Sequence, residues 1–294
     1  MPAGRDQHRA DRLAGFGGVR RLLSLLCGTR QRGRALLGVI ALPVVLYAAA
    51  LGVLYVQQEA LLFRPSPLPA DHAFQPGVQE VRVPVNGATL HAVHFKQPAA
   101  RGLVFFLHGN AGNNARWLTS TAFYERTGFD LFMIDYRGYG KSSGRIESEA
   151  QLHADVLAAF RAVAPQYAGR KLVIYGRSLG TGLAARLATE VDADLLVLVS
   201  PYSSLRDLAQ EHYPWVPAAL LRYPMPTGLW LPQVRAPTLI FHGERDALIG
   251  IEHSQRLQQQ LPGVDLVLLP EAGHDDVHRF SAYLDTLADR LARL

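Results

Sequence analysis

Residues 175–182, YGRSLGTG, hold Ser178 between Gly176 and Gly180 in a G-x-S-x-G spacing. A serine hydroxyl is a weak nucleophile until a histidine takes its proton and an acid orients that histidine. The glycines matter only where a strand ends in a sharp turn and a helix begins, because that turn lifts the serine oxygen out of the backbone. A second copy of the spacing, GKSSG, contains Gly140, Ser142 and Gly144, so context must choose between them.

Ser178 has the required context. The apolar run KLVIY leads straight into Gly176, and LGTGLAARLATE has helical spacing immediately afterwards. The start of that helix aims amide hydrogens at any negative charge that develops there. Ser142 lies several residues beyond its nearest apolar run, inside the glycine-rich stretch RGYGKSSG, and reads as a turn residue. Nor is GKS a phosphate loop, since Asp135 occupies the position of that motif's first glycine.

An acid and a base follow Ser178 in the order that a strand-turn-helix nucleophile uses. Asp246 comes after PTLIFHGER and His274 after VDLVLLPEAG, with room between them for one helix and one strand. Asp207 competes for the acid role, as do Asp275 and Asp276 less strongly; His278 and His242 compete for the base, although His242 ends its strand and reads as structural. The residues ask for no metal or cofactor.

These groups need a scaffold, and short apolar runs at regular intervals supply it. GLVFFLHG, DLFMIDYRG, KLVIYG, LLVLVS, PTLIFHG and VDLVLLP are continuously apolar, as in strands buried on both faces of a parallel sheet. Ahead of them, VQEVRVPV and ATLHAVHF flank Asn86-Gly87, the favoured pair for a two-residue hairpin turn. Helical stretches alternate with the runs, and Ser148 with Gln151 can form a capping box before AQLHADVLAAFRAV. The alternation predicts an α/β fold with a doubly wound, mostly parallel sheet.

The net charge of +5 is unevenly spread: residues 1–35 hold eight arginines against Asp6 and Asp11, leaving −1 for the rest. The basic excess belongs to a tail, so the globular part offers no nucleic-acid surface. Cys27, the one cysteine, lies in that tail and excludes an intrachain disulfide. Residues 36–56 are 21 consecutive residues without a charge, about the length that crosses the hydrocarbon core. With the arginines before them, they read as a single-pass anchor with a cytoplasmic N-terminus and the catalytic part outside; a signal peptide cleaved after Ala48-x-Ala50 is the rival reading. The proline-rich stretch 57–75 reads as a linker, and 76–294 as the catalytic domain.

LLFRP, HGNAGNN, DYRGYGKSSG, YGRSLGTG, SPYSSLRDLA, HGERD and AGHDD together resemble the α/β-hydrolases, and within them the membrane-anchored serine hydrolases typified by the Bem46 and α/β-hydrolase-domain-13 proteins. The resemblance implies the α/β-hydrolase fold and the catalytic residues Ser178, Asp246 and His274, in agreement with the reading above. One departure is Gly250, in DALIGIEHS, where the resemblance implies proline. In this fold HGNAG sits where one oxyanion-hole amide arises, and the residue after the nucleophile gives the other, so the expected donors are the backbones of Asn110 and Leu179.

The expected activity is hydrolysis of an ester or thioester through an acyl-enzyme. Peptide cleavage and acyl transfer use the same groups, and a non-catalytic binding module is the reading from another class. Residues 201–236 fall where the fold inserts a lid, and Trp215, Tyr223 and Trp230 in it are expected to form an acyl-binding wall for a small or lipid-like substrate near the bilayer.

Overall fold

The apolar runs become strands, and their hydrogen bonds close into one eight-stranded sheet. The computed structural model describes residues 41–261 and 263–294. The basic tail 1–35 with Cys27, and the first residues of the expected anchor, lie outside that range. The chain divides into a unit ending at Val56 and a unit spanning Gln57–Leu294. In the first, residues 41–56 are helical, and Leu42, Val44, Val45, Leu46, Val53 and Val56 are exposed. Among the described residues no helix is long and apolar enough to cross a membrane.

In the second unit we number the strands of the large sheet β1 (Val78–Val85), β2 (Ala88–Phe95), β3 (Gly102–Leu107), β4 (Phe129–Ile134), β5 (Lys171–Arg177), β6 (Leu195–Val199), β7 (Thr238–Gly243) and β8 (Asp265–Leu269). Their spatial order is β1-β2-β4-β3-β5-β6-β7-β8, with β2 antiparallel to both neighbours and every other pairing parallel. The β1–β2 hairpin turns on Asn86-Gly87, where Gly87 takes a φ of 73° that a side chain would disfavour. Strands β3, β4, β6 and β7 are buried along their whole length because apolar clusters cover both faces of the sheet.

The longer helices are α1 (Glu149–Val163), α2 (Leu179–Glu190), α3 (Leu205–His212), α4 (Ile251–Gln260) and α5 (Ser281–Ala292). Ser148 caps α1 by accepting the Gln151 amide (3.1 Å), and the Gln151 side chain accepts the Glu147 amide (2.8 Å). The box therefore closes one residue earlier than the usual pattern.

The stretch 57–75 is not a free linker but part of the larger unit. Phe63 enters the core, the Gln58 side chain donates to the Leu220 carbonyl (2.7 Å) and accepts the Arg222 amide (2.8 Å), and Arg64–Pro65 pairs in parallel with Ala111–Gly112. Its prolines exclude long regular elements without preventing docking, because the remaining amides and apolar side chains find partners.

His94 on β2 contributes a pH-dependent term. Its ring bonds to the Tyr167 hydroxyl (2.7 Å), which donates to Asp130. Burial, with Lys96 adding to it, lowers the imidazole pKa to about 4. The unfolded chain then binds this proton more readily than the native state, so the contribution is complete above pH 6.5 and drains away as pH falls towards 4. The loss is on the order of 3 kcal/mol. Urea unfolding across this range should therefore show a flatter decline for His94→Gln than for the wild type.

Candidate active site

In a parallel sheet all the loops after the strands leave from one edge, and that edge is where ligands bind in open α/β folds. The loops after β3, β5, β7 and β8 carry residues 108–112, Ser178, Asp246 and His274 respectively. Residues separated by as many as 96 positions thus meet without a long connection.

Ser178 sits between β5 and α2 with φ 51° and ψ −121°, a strained conformation for a residue with a side chain. Neighbours on both sides hold it there. Its amide donates to the Val199 carbonyl (2.9 Å), and its carbonyl accepts from both the amide and the hydroxyl of Thr181 (2.9 and 2.6 Å). The flanking glycines are required by close packing: a Cβ on Gly180 would lie 2.1 Å from the Leu107 carbonyl oxygen, and one on Gly176 would lie 2.4 Å from the Gly180 oxygen.

His274 Nδ1 lies 2.7 Å from Asp246 Oδ2, and its Nε2 lies 2.9 Å from Ser178 Oγ. The carboxylate fixes the ring proton on Nδ1, which leaves Nε2 to accept the serine hydroxyl. Asp246 is itself held, with Oδ1 accepting the amides of Leu248 (3.0 Å) and Ile249 (2.8 Å). Burial alone would raise its pKa, but contacts with His242 and His274 and the Ile249 amide hold the carboxyl well below the usual range. Gly250, the departure noted above, caps the start of α4 with φ −63°, the angle a proline would impose. The loop bearing Asp246 keeps that geometry without the ring.

The competing residues fall elsewhere. Asp207 accepts from the Ser203 hydroxyl (3.0 Å), and Asp276 accepts the Gly273 amide (2.8 Å). Asp275 is an exposed residue on the rim of the cleft. His242 is buried between Ser254 Oγ (2.6 Å) and the Ile249 carbonyl (2.8 Å), as its position at the strand end suggested. His278 faces Arg177 at 3.2 Å, and burial, then the charge of Arg177, lowers its pKa.

The loop after β3 lies against Ser178: a Cβ on Gly109 would come within 3.5 Å of the Ser178 Cβ. Its carbonyls are tied back by the buried tyrosines of the DYRGYG segment, Tyr136 donating to His108 (2.8 Å) and Tyr139 to Asn110 (2.6 Å). His108 is buried, its Nδ1 bonded to the Gly109 carbonyl (2.7 Å). Among the described residues no backbone or side-chain acceptor bonds the Asn110 and Leu179 amides. Ser142 also has a structural place, its hydroxyl accepting the His91 amide and donating to the Asp135 carbonyl, both at 2.7 Å.

Ser178 and His274 open on a cleft of about 870 Å³. The expected wall from the insertion is not there. Tyr223 is buried, packed edge-on to Phe63 (ring centroids 5.1 Å apart) with its hydroxyl on Glu59 Oε1 (2.8 Å). Trp230 packs edge-on against His153 and onto the core. Trp215 is exposed, and none of the three lines the cleft. The core claims Tyr223 because burying it there also satisfies its hydroxyl. The apolar wall comes instead from Phe106, Trp117, Leu118, Phe123, Tyr175 and Leu284.

The sequence reading also passed over the arginines. Arg64, Arg116, Arg126, Arg177 and Arg279 line the cleft, with Asp275 the one carboxylate among the lining residues. Arg177, beside the nucleophile, is buried; it stacks over Trp117 (5.2 Å) and donates to the His274 carbonyl (3.1 Å). Its place before Ser178 was the available signal. A second cavity of about 710 Å³, lined in part by Glu59, Arg137, Glu147 and Arg222, contains no nucleophile, and its Arg137 is locked to Asp155.

This sheet order, with a serine at a strand-turn-helix junction joined to a histidine and an aspartate at its carboxyl edge, defines a hydrolase of the α/β class. The profile of a hydrolase family described as "Serine aminopeptidase, S33" matches residues 98–229. An α/β hydrolase domain-containing protein of Xenopus laevis, 17B, is 32% identical over 204 residues, which are 67% of this chain and 68% of that protein. The Caenorhabditis elegans α/β hydrolase domain-containing protein aho-3 is 34% identical over 197 residues, 65% of this chain but 57% of that longer protein. Among solved structures, a Pyrococcus furiosus esterase superposes with a TM-score of 0.63 at 18% identity, covering 79% of this chain and 97% of the esterase. The chain belongs to the α/β-hydrolase superfamily.

Proposed function

We propose that the protein is a serine hydrolase cleaving a carboxylic ester or thioester through an acyl-enzyme intermediate. The unbroken hydrogen-bond chain from Ser178 through His274 to Asp246 carries this reading. Ser178 Oγ attacks the carbonyl carbon while its proton passes to His274 Nε2, and Asp246 stabilises the imidazolium. The amides of Asn110 and Leu179 receive the oxyanion, each worth about 3 kcal/mol in such a site. The imidazolium then protonates the departing alcohol or thiol, and water repeats the sequence to release the acid.

The family description favours a second reading, an aminopeptidase. Such an enzyme must hold a cationic amino terminus, and the arginine-lined cleft opposes one. Incubation with a fluorophosphonate is expected to label the wild type and Ser142→Ala equally and Ser178→Ala not at all. Labelling of Ser178→Ala would remove the assignment, whereas no labelling of any form would favour a binding module. Turnover of peptide amides comparable with that of esters would favour the peptidase.

Residues 36–56 are proposed as a retained anchor with the catalytic unit outside, supported by their length without charge and the arginines before them. Protease added to intact spheroplasts should then digest the catalytic unit and spare residue 1. A soluble chain beginning near Leu51 would instead indicate a cleaved signal.

A further inference from the structure

The cleft at Ser178 gathers more positive charge than the rest of the molecule explains. Outside the first 35 residues the chain carries a formal charge of −1, yet five arginines line this one cleft against a single exposed aspartate. Like charges crowded in one concavity repel each other, a cost that a folded chain normally relieves with carboxylates. Three arginines outside the cleft are neutralised in this way: Arg137 pairs with Asp155, Arg186 with Glu190 and Arg256 with Glu211. Among the described residues no carboxylate pairs with any of the five. Arg177 sharpens the point, because it is buried and its recorded partners are a carbonyl, an imidazole and an indole face. A buried cation without a counter-charge is costly.

Two of the arginines lie beside the oxyanion loop, Arg64 at the border with the second cavity, and both are exposed. Arg64 stands in register with Ala111, and its amide donates to the Asn110 carbonyl (2.8 Å). The stem of Arg116 lies over Gly112, where a Cβ would come within 2.8 Å of its Cδ. Their guanidinium groups suit carboxylate or phosphate oxygens, which they can bind in pairs. The other side of the cleft is apolar, with Phe106 stacked on Tyr175 at 4.5 Å.

We infer that the substrate is an amphipathic ester or thioester carrying an anionic group, carboxylate or phosphate, which Arg64 and Arg116 hold while its apolar part lies along the aromatic wall. This rests on the serine-hydrolase reading and narrows its substrate. A cleft of one sign also draws anions in from solution.

The full chain in a nonionic detergent can be assayed on two matched ester pairs: p-nitrophenyl hemiglutarate against p-nitrophenyl valerate, and hexanoyl-glycerol phosphate against hexanoyl-glycerol. The charged member of at least one pair should have the higher kcat/KM, by about tenfold or more at low ionic strength. That ratio should shrink as salt is added and collapse in the double variant Arg64→Gln/Arg116→Gln, mainly through KM. Arg116→Lys should retain part of it, and Arg161→Gln, outside the cleft, all of it. The pair that responds tells whether the anion sits on the acyl or the alcohol side. Turnover of the neutral esters with no charge preference, or a preference that survives the double variant, would overturn this inference alone. No turnover of any of the four esters would overturn it together with the esterase reading.

Discussion

Replacing Ser178 with alanine is expected to lower kcat on an ester substrate by about 10⁶-fold while leaving the fold intact. The loss should be this large because the hydroxyl is the attacking atom and the described cleft offers no second nucleophile bonded to His274. Residual turnover should reflect water and the oxyanion donors alone. Ser142→Ala is the informative contrast, since this serine has the same flanking glycines but bridges the His91 amide and the Asp135 carbonyl. Its loss should cost about 1 kcal/mol of stability and little activity. Burst kinetics with a p-nitrophenyl ester and urea unfolding separate the two outcomes. A Ser178→Ala protein that retained its burst would end the proposal.

Asp246→Asn should cost about 10⁴-fold in kcat. The asparagine carbonyl can still accept the Leu248 and Ile249 amides, so the loop should hold its shape. Its amide nitrogen, however, cannot accept the Nδ1 proton of His274. The ring then favours the other tautomer, which presents a donor to Ser178 where an acceptor is needed. Because the Asp246 pKa is depressed in the native state, the stability it contributes is present above the ordinary carboxylate range near 4 and lost only as pH falls through the lower native value. Asp246 therefore stays ionised across the working range, and the acid limb of kcat/KM in the wild type belongs to another group. Asp207→Asn, which removes a charge but keeps a carbonyl able to accept the Ser203 hydroxyl, should be near neutral. Reversed effects of the two substitutions would reassign the acid.

Much of the scaffold was legible along the chain. Continuous apolar runs become strands covered on both faces because a parallel sheet has no wet side, and Asn86-Gly87 makes the hairpin because its turn needs φ above zero. The choice of Ser178 over Ser142 was also local, since it depended on a strand running into the turn and a helix running out of it. The order of serine, aspartate and histidine narrowed the acid to a few positions. Contact between them, however, depends on β5, β7 and β8 lying side by side and ending on one edge.

The walls of the cleft were decided by the tertiary structure. Trp215, Tyr223 and Trp230 had the composition of a binding surface, yet Tyr223 went to the core because Phe63 and Glu59, 160 and 164 positions earlier, offered its ring and hydroxyl a place. Arg64 sits in a stretch that reads as a linker, and reaches the oxyanion loop only through its two-residue pairing with Ala111–Gly112. A local pattern fixes the period and the turns, because those depend on backbone angles and near neighbours. Where a large or charged side chain ends up depends on which distant surface can bury its apolar part and meet its polar atoms, and that is known only once the sheet has closed.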